Sequence, residues 1–235
     1  MKKIISLLFI ILLFGLIIFI KIDFFNKFEI NDFEDTIKNE DIPEEEVIDE
    51  NKPNYINNQV GYIKIDDTNI DALLMQYTDN DYYLTHDENG NYSIFGSIYM
   101  DYRNNIDDKK ILIFGHNTKN AKVSPFKDLE KYGNESFYQN HSIINLELNG
   151  TLHQYKIFSV IVTSNKSNKH MKLGFKDNEW EEHLNWLVND SIYDTNTDVN
   201  TNDFIITLQT CYYEPDQSFI IISAKRIWNF YEIIK

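Results

Sequence analysis

Hydrophobic and polar residues alternate over much of the second part of the chain, and this pattern predicts β-strands. The residues Asn149 and Gly150 separate two such strands, and both tolerate positive φ, so they predict a β-hairpin. Four successive apolar residues that begin at Ile111 are typical of a short buried strand. The predicted strands cover residues 60–65, 111–114, 143–148, 151–162, 204–208 and 219–222.

Two segments break this pattern and predict helices. Between Asn178 and Asn189 the apolar residues recur at helical spacing, and Asp177 is placed to cap the helix. We expect its apolar stripe to face the core; the stripe consists of Trp180, Leu184, Leu187 and Val188. A second helix is predicted around residues 124–132. Many short strands with few helices favour a mainly β fold, either a closed barrel or a strongly curved sheet.

The first 22 residues form a separate apolar segment. Residues 4–20 carry no charge, and this length of 17 residues reaches the lower limit of about 17 for a membrane-spanning helix. Lys2 and Lys3 favour a cytoplasmic N-terminus. We therefore expect an uncleaved membrane anchor at residues 1–22, with the rest of the chain extracellular. The alternative is a cleaved secretory signal, although no small-x-small cleavage site follows the apolar run.

The charge distribution separates the anchor from a globular domain. The formal net charge is -15, which argues against binding to nucleic acid. Residues 31–50 contain ten Asp and Glu residues and a single basic residue, Lys38. Such a run is typical of a solvated tether. We predict an acidic extracellular tether at residues 23–53 and one domain at residues 54–235.

A cysteine and a histidine are the candidate catalytic residues. The chain has one cysteine, so no internal disulfide is possible. Cys211 follows the strand predicted at 204–208, and His116 follows the strand predicted at 111–114. A thiol and an imidazole can act as nucleophile and acid/base partner. A lone cysteine is also typical of an inert core residue, so spacing alone leaves both interpretations open.

Five ordered motifs resemble those of a known family. Thr207-Leu-Gln-Thr-Cys211 resembles the Thr-Leu-x-Thr-Cys signature of sortases, and Phe114-Gly-His-Asn117 is similar to their histidine motif. Three further stretches, residues 61–71, 80–84 and 96–104, resemble class B sortases in particular. The predicted helix at 178–189 is also similar to a helix that class B enzymes insert before the cysteine strand. The resemblance implies a closed mixed β-barrel with peripheral helices.

The resemblance also implies a thiol-based acyl transfer without a cofactor. Cys211 would attack the carbonyl after Thr in a C-terminal sorting motif of the Asn-Pro-x-Thr type, on a secreted protein. His116 would act as general acid and base. A peptidoglycan amine would then resolve the thioester. By analogy, the candidate substrate-binding residues are Asn80, Leu84, Gln209 and Ser218.

The chain departs from the family at one catalytic position. Sortases place an arginine at the start of the strand after the cysteine, and this position falls on Ser218 or Phe219. Arg226 lies seven or eight residues further, roughly 23–26 Å along an extended strand. It is either a displaced catalytic residue or a surface charge at a strand end. The departure motivates an alternative function, a catalytically impaired sortase-like domain that binds sorting peptides or cell-wall components.

Two other possibilities receive less support from the sequence. An L,D-type transpeptidase also uses Cys and His, but its cysteine motif carries Ser, Gly and an adjacent Arg that are missing around Cys211. The remaining histidines lack metal-ligand spacing, so we predict no zinc site. The acidic pairs at 66–67 and 79–81 leave Ca²⁺ open as an alternative to ordinary turns.

Overall fold

A computed structural model describes residues 55–119, 121–164, 168–176, 178–213 and 218–227. The predicted anchor and tether, residues 1–53, lie outside these ranges, as does the boundary predicted at residue 54. None of the helices in the described ranges has the length and apolar character needed to span a bilayer. The strands are β1 (Gln59–Lys64), β2 (Asp71–Met75), β3 (Ile98–Met100), β4 (Lys110–Phe114), β5 (Ile143–Leu148), β6 (Thr151–Ser164), β7 (Ile205–Tyr212) and β8 (Ser218–Ile227). The α-helices are α1 (Glu135–Asn140) and α2 (Glu179–Asn189), and 3₁₀ helices cover Tyr82–Leu84, Lys127–Gly133 and Lys169–Met171.

The eight strands close into one barrel in the order β1-β2-β3-β4-β7-β8-β6-β5. The pairs β2–β3 and β4–β7 are parallel, and the remaining neighbours are antiparallel. Closure leaves these eight strands, within the part of the chain that the structure describes, without an open edge to pair with another chain. The prediction of a mainly β, closed and mixed barrel with few helices is confirmed.

The β5–β6 hairpin shows why the local sequence pattern succeeds. Asn149 and Gly150 have φ angles of 47° and 80°, the left-handed values that a tight hairpin turn requires. They join Leu148 to Thr151, which pair directly across the hairpin. The predicted hairpin is confirmed.

Alternating side chains give each strand an inner and an outer face. The barrel core contains Ile111 and Ile113 of β4 together with Ile206 and Leu208 of β7. On the outer face, α2 covers β6, β7 and β8 through a second apolar cluster that includes Leu184 and Leu187. A third cluster covers the outer face around β4; its buried members are Met75, Tyr83, Tyr99, Leu112 and Phe114.

The helix predictions are confirmed in part. α2 begins at Glu179 and ends at Asn189, as the periodicity predicts, and Leu184 and Leu187 are buried. Val188 is 44% exposed, so its assignment to the core-facing stripe is wrong. At 3.6 residues per turn Val188 lies about 100° around the helix from Leu187 and about 40° from Leu184, at the edge of the buried face. Asp177 lies outside the described residues, and the helix predicted around 124–132 is a 3₁₀ helix at Lys127–Gly133.

Candidate active site

The ends of β4 and β7 bring His116 and Cys211 to matching positions. The two strands run parallel and pair Phe114 with Gln209. Phe114 belongs to the outer cluster, whereas its neighbour Ile113 belongs to the barrel core. Because faces alternate along a strand, residues two positions later return to the outer face. Cys211, still within β7, therefore lies on the outer face, and His116 follows Phe114 by two positions, just beyond the end of β4.

Two hydrogen bonds lock the backbone on either side of this pair. The Thr210 hydroxyl donates to the Gly115 carbonyl at 2.7 Å, and Asn117 Nδ2 donates to the Cys211 carbonyl at 3.0 Å. Asn117 is 1% exposed and also donates to Glu130 Oε2 at 2.9 Å. Loss of a buried hydrogen-bond partner costs about 1–3 kcal/mol. These contacts therefore hold the histidine loop against the cysteine strand.

The surroundings of His116 select which ring nitrogen carries hydrogen. Its Nε2 lies 2.9 Å from the carbonyl oxygen of Leu84, which can only accept. Nε2 is therefore protonated, and Nδ1 is the acceptor in the neutral ring. A Cβ on Gly115 would lie 2.8 Å from the Phe126 ring. The residue before His116 must therefore be glycine for the loop to pass this ring.

Cys211 lies in an apolar environment that disfavours its thiolate. The thiol is half-buried, and Phe219 of β8 lies directly opposite it in the antiparallel register. Side chains at such positions have Cβ atoms about 4.5–5.5 Å apart. Burial raises the pKa of the Cys211 thiol above its ordinary value, which is itself about 8.5. Burial therefore favours the thiol over the thiolate before substrate binds.

The register also separates the two positions predicted for the family arginine. Ser218 pairs with Tyr212 and lies on the opposite face of β8 from Phe219. Its side chain is buried, and its hydroxyl donates to the Tyr212 carbonyl at 3.0 Å. Phe219 is therefore the residue that lies beside Cys211. The candidate substrate-binding residue Ser218 instead supports the backbone next to the cysteine.

Arg226 lies at the far end of β8, and this position argues against the catalytic role considered above. It pairs with Tyr155, and its N–H donates to the Phe204 carbonyl at 2.8 Å. It is seven positions along the strand from Phe219, a span of roughly 23 Å. Because β8 is a continuous strand from Ser218 to Ile227, the guanidinium cannot reach the thiol. We therefore correct that assignment.

The other candidate substrate-binding residues occupy different settings. Leu84 contacts His116 through its carbonyl. Gln209 shares the outer face with Cys211, and its Oε1 lies 2.5 Å from Nε2 of His170. Asn80 donates to Asp101 Oδ2 and accepts from the Tyr102 N–H, so its amide supports the connection after β3.

Sequence reasoning assigned no role to two residues at this site. Asn117 directly follows His116 in the histidine motif, and that adjacency was the available signal. His170 carried no signal, because it precedes Gln209 by 39 positions and reaches it only through the fold.

The acidic pairs considered for Ca²⁺ are used in turns. Asp67 has a φ of 57°, and Asp79 Oδ1 accepts the N–H groups of Asp81 and Tyr82, each at 2.8 Å. Within the described ranges, no group of three or more His, Cys, Asp or Glu side chains is arranged to hold a metal ion. The geometry of these acidic residues is that of turn capping.

Comparisons with known proteins agree with this geometry. A family model described as Sortase domain matches residues 63–227. Sortase B of Listeria monocytogenes is 37% identical over 160 residues, which are 67% of this chain and 64% of that protein. Sortase B of Staphylococcus aureus is 30% identical over 173 residues, which are 72% of this chain and 70% of that protein. The X-ray structure of Clostridium perfringens sortase B matches with a TM-score of 0.68 at 33% identity, covering 73% of this chain and 94% of that one.

The chain therefore belongs to the sortase family. Its curated relatives and its structural neighbours are sortase B proteins, which identifies the class as B. The match spans less than two thirds of the Listeria protein, at 64% of its length.

Proposed function

We propose that this chain is a membrane-anchored transpeptidase that joins secreted proteins to the cell wall through a thioester on Cys211. The observation that carries the proposal is the placement of His116 and Cys211, each two positions beyond the paired residues Phe114 and Gln209. A nucleophile and an acid/base group near the ends of two paired strands are the parts that covalent acyl transfer requires.

In the first half-reaction, the Cys211 thiol passes its proton to Nδ1 of His116 as the substrate enters. The thiolate attacks the carbonyl carbon of the Thr residue in the sorting motif and forms a C–S bond. The C–N bond to the next residue then breaks. The imidazolium returns the proton to the leaving amine, so the products are a thioester and a free C-terminal fragment.

In the second half-reaction, an amine attacks the thioester carbonyl. His116 accepts a proton from the attacking nitrogen, the C–S bond breaks, and the sulfur recovers the proton as a thiol. The product is a new amide between the Thr carbonyl and the acceptor. The enzyme returns to its starting state without a cofactor.

Related proteins support the choice of substrates. One structure similar to this chain is described as a Staphylococcus aureus sortase B-substrate complex, at 28% identity and a TM-score of 0.66. Another is described as sortase B complexed with triglycine, at 27% identity and a TM-score of 0.66. We infer a C-terminal Asn-Pro-x-Thr-like motif as acyl donor and a peptidoglycan amine as acceptor. Residues 1–22 would hold the enzyme in the cell membrane, with the barrel extracellular.

Intact-mass spectrometry of the full chain in detergent tests this proposal. The chain is mixed with an Asn-Pro-x-Thr peptide library, with and without triglycine. We expect a mass gain on Cys211 that hydroxylamine removes and that triglycine converts into a ligated peptide. Cys211→Ala should show no adduct, and His116→Ala should accumulate far less.

The same experiment separates the two functions that the sequence leaves open. An adduct resolved by triglycine supports transpeptidation. Peptide binding by a folded chain with a reactive thiol, but without any adduct, would instead support the binding-only function. Phe219 beside the thiol is the feature that motivates this comparison.

A further inference from the structure

Lys110 is a buried cation on the outer face of β4, at the base of the same surface that carries His116. Its side chain is 4% exposed, a rare environment for lysine. Its Nζ donates to the carbonyl oxygens of His170 at 2.7 Å and Lys172 at 3.0 Å, and to Nε2 of His183 at 2.8 Å. Three acceptors match the three hydrogens of an ammonium group.

The electrostatics keep His183 in the role of acceptor. Burial and the charge of Lys110 lower the pKa of His183 to about 3. The ring is therefore neutral, and its Nε2 lone pair can accept a hydrogen bond from Lys110 Nζ.

Arg103 binds the carbonyl of Met171, which lies between the two backbone carbonyls that accept hydrogen bonds from Lys110. Its Nη2 is 3.3 Å from the Met171 oxygen. The same guanidinium forms two hydrogen bonds with the fully buried carboxylate of Asp101, at 2.9 and 2.7 Å. Three successive carbonyls, at residues 170, 171 and 172, are thus held by two cations on the β3–β4 side of the barrel. We call residues 170–172 the clamped segment.

The clamped segment contacts residues that neighbour each member of the catalytic pair. The His170 ring is 2% exposed and meets Gln209, which precedes Cys211 by two positions on the same face. Met171 packs in the outer cluster together with Leu84, whose carbonyl engages His116. The hydrogen bonds of the clamp therefore lead to the cysteine strand, whereas His116 is held separately by the Leu84 carbonyl.

We propose that Lys110, assisted by Arg103, is a positioning residue that fixes the clamped segment and thereby orients Gln209, a candidate substrate-binding residue beside Cys211. This inference rests on the proposed function. Without the Lys110 ammonium, two carbonyls and one imidazole nitrogen lose their donor in a buried site. The clamped segment then shifts, and His170 loses its contact with Gln209. The thiol and the imidazole remain in place, because separate hydrogen bonds hold them.

The test compares Lys110→Met with Lys109→Met in the full chain at pH 6, below the pKa of about 7 that burial gives Lys110, so that the ammonium form is present. The control makes the same change at the adjacent, exposed position. We expect Lys110→Met to raise the KM for the sorting peptide about tenfold or more, because several buried hydrogen bonds are lost together. We expect kcat to change less than about threefold, since the groups that react are untouched. Lys109→Met should match the wild type in both constants.

A second readout does not require turnover. In a chain labelled with ¹⁵N-histidine, the ring signal of His170 reports its hydrogen bond to Gln209, and His170→Phe assigns that signal. We expect the signal to move in Lys110→Met and to stay in Lys109→Met. His170→Phe, which keeps Lys110, should raise the KM in the same way.

Each outcome decides the inference. An unchanged KM or an unmoved His170 signal in Lys110→Met overturns it, and so does a fall in kcat at constant KM. If Lys110→Met does not fold, the KM of His170→Phe decides in its place. If the wild type forms no acyl-enzyme with any peptide, the proposed function fails. The His170 signal then still shows whether Lys110 holds the clamped segment.

Discussion

Replacing Phe219 with arginine is the sharpest test of how this site differs from the family pattern. Phe219 lies directly opposite Cys211, with a Cβ separation of about 4.5–5.5 Å. A guanidinium that starts from this position can lie within the roughly 4–6 Å over which an opposite charge favours an ionised group. Phe219→Arg should therefore stabilise the thiolate, which burial now disfavours.

The size of the effect follows from the charge and the distance. A nearby opposite charge lowers a pKa by about 1–3 units. While the thiol stays mostly protonated, each unit raises the thiolate fraction about tenfold. A thiolate of lower pKa is, however, a weaker nucleophile, with a Brønsted coefficient of about 0.4–0.5. The two effects leave a net gain of about 3- to 30-fold in the rate of alkylation. Transpeptidation should gain more, because an oxyanion donor contributes about 100- to 1000-fold.

The assay is the pH profile of Cys211 alkylation by iodoacetamide, followed by intact mass. The chain has one cysteine, so the signal needs no correction for other thiols. Phe219→Leu is the matched control, because it removes the ring and its packing on the α2 cluster without adding charge. If the two variants show the same thiol pKa, the guanidinium does not lie beside the sulfur, and our account of Phe219 is wrong.

Three further predictions concern the supporting structure. Gly115→Ala places a Cβ 2.8 Å from the Phe126 ring, so we expect thermal unfolding to reveal a loss of about 1–3 kcal/mol from overpacking; unchanged stability would contradict this close approach. Burial and the nearby Arg103 charge lower the pKa of Lys110 from 10.5 to about 7. Between pH 7 and pH 10 the unfolded chain therefore binds more protons at this residue than the folded chain does. The free energy of unfolding should rise from pH 7 to pH 10 by at most about 1.4 kcal/mol per unit, and in urea titrations Lys110→Met should lack this rise. Asn117→Ala removes the hydrogen bond to the Cys211 carbonyl; we expect stability to fall by about 1–3 kcal/mol and acyl-enzyme formation to slow, whereas equal rates in the mass assay would count against a positioning role.

Local features of the sequence determined most of the secondary structure. Alternation of apolar and polar residues predicted β1, and runs of apolar residues such as those at 111–114 and 219–222 predicted strands that include β4 and β8. Asn149-Gly150 predicted the β5–β6 turn from backbone sterics alone. β2 and β3 were not predicted as strands; they have five and three residues, too short for a clear alternation.

For the candidate active site, the sequence by itself predicted Cys211 and His116, because each follows a recognisable strand within a family motif. Only the tertiary structure decided which residues surround them. The register of β7 against β8 placed Phe219 beside the thiol and Arg226 at the far strand end. A change of one position in that register would exchange the two faces of β8, and no local pattern specifies it to that accuracy.

The environment of Lys110 depends on the tertiary structure even more than the environment of Cys211 does. The acceptors of Lys110 lie 60 to 73 positions further along the chain, and they meet it only after the barrel closes and α2 packs on the outer face. In the sequence, Lys110 is an ordinary lysine at the start of a predicted strand. Local preferences of a chain act over a few neighbouring residues and determine strands, turns and helices. Contacts between distant segments depend on how those elements pair, and for this reason the environment of each catalytic group was decided by the tertiary structure.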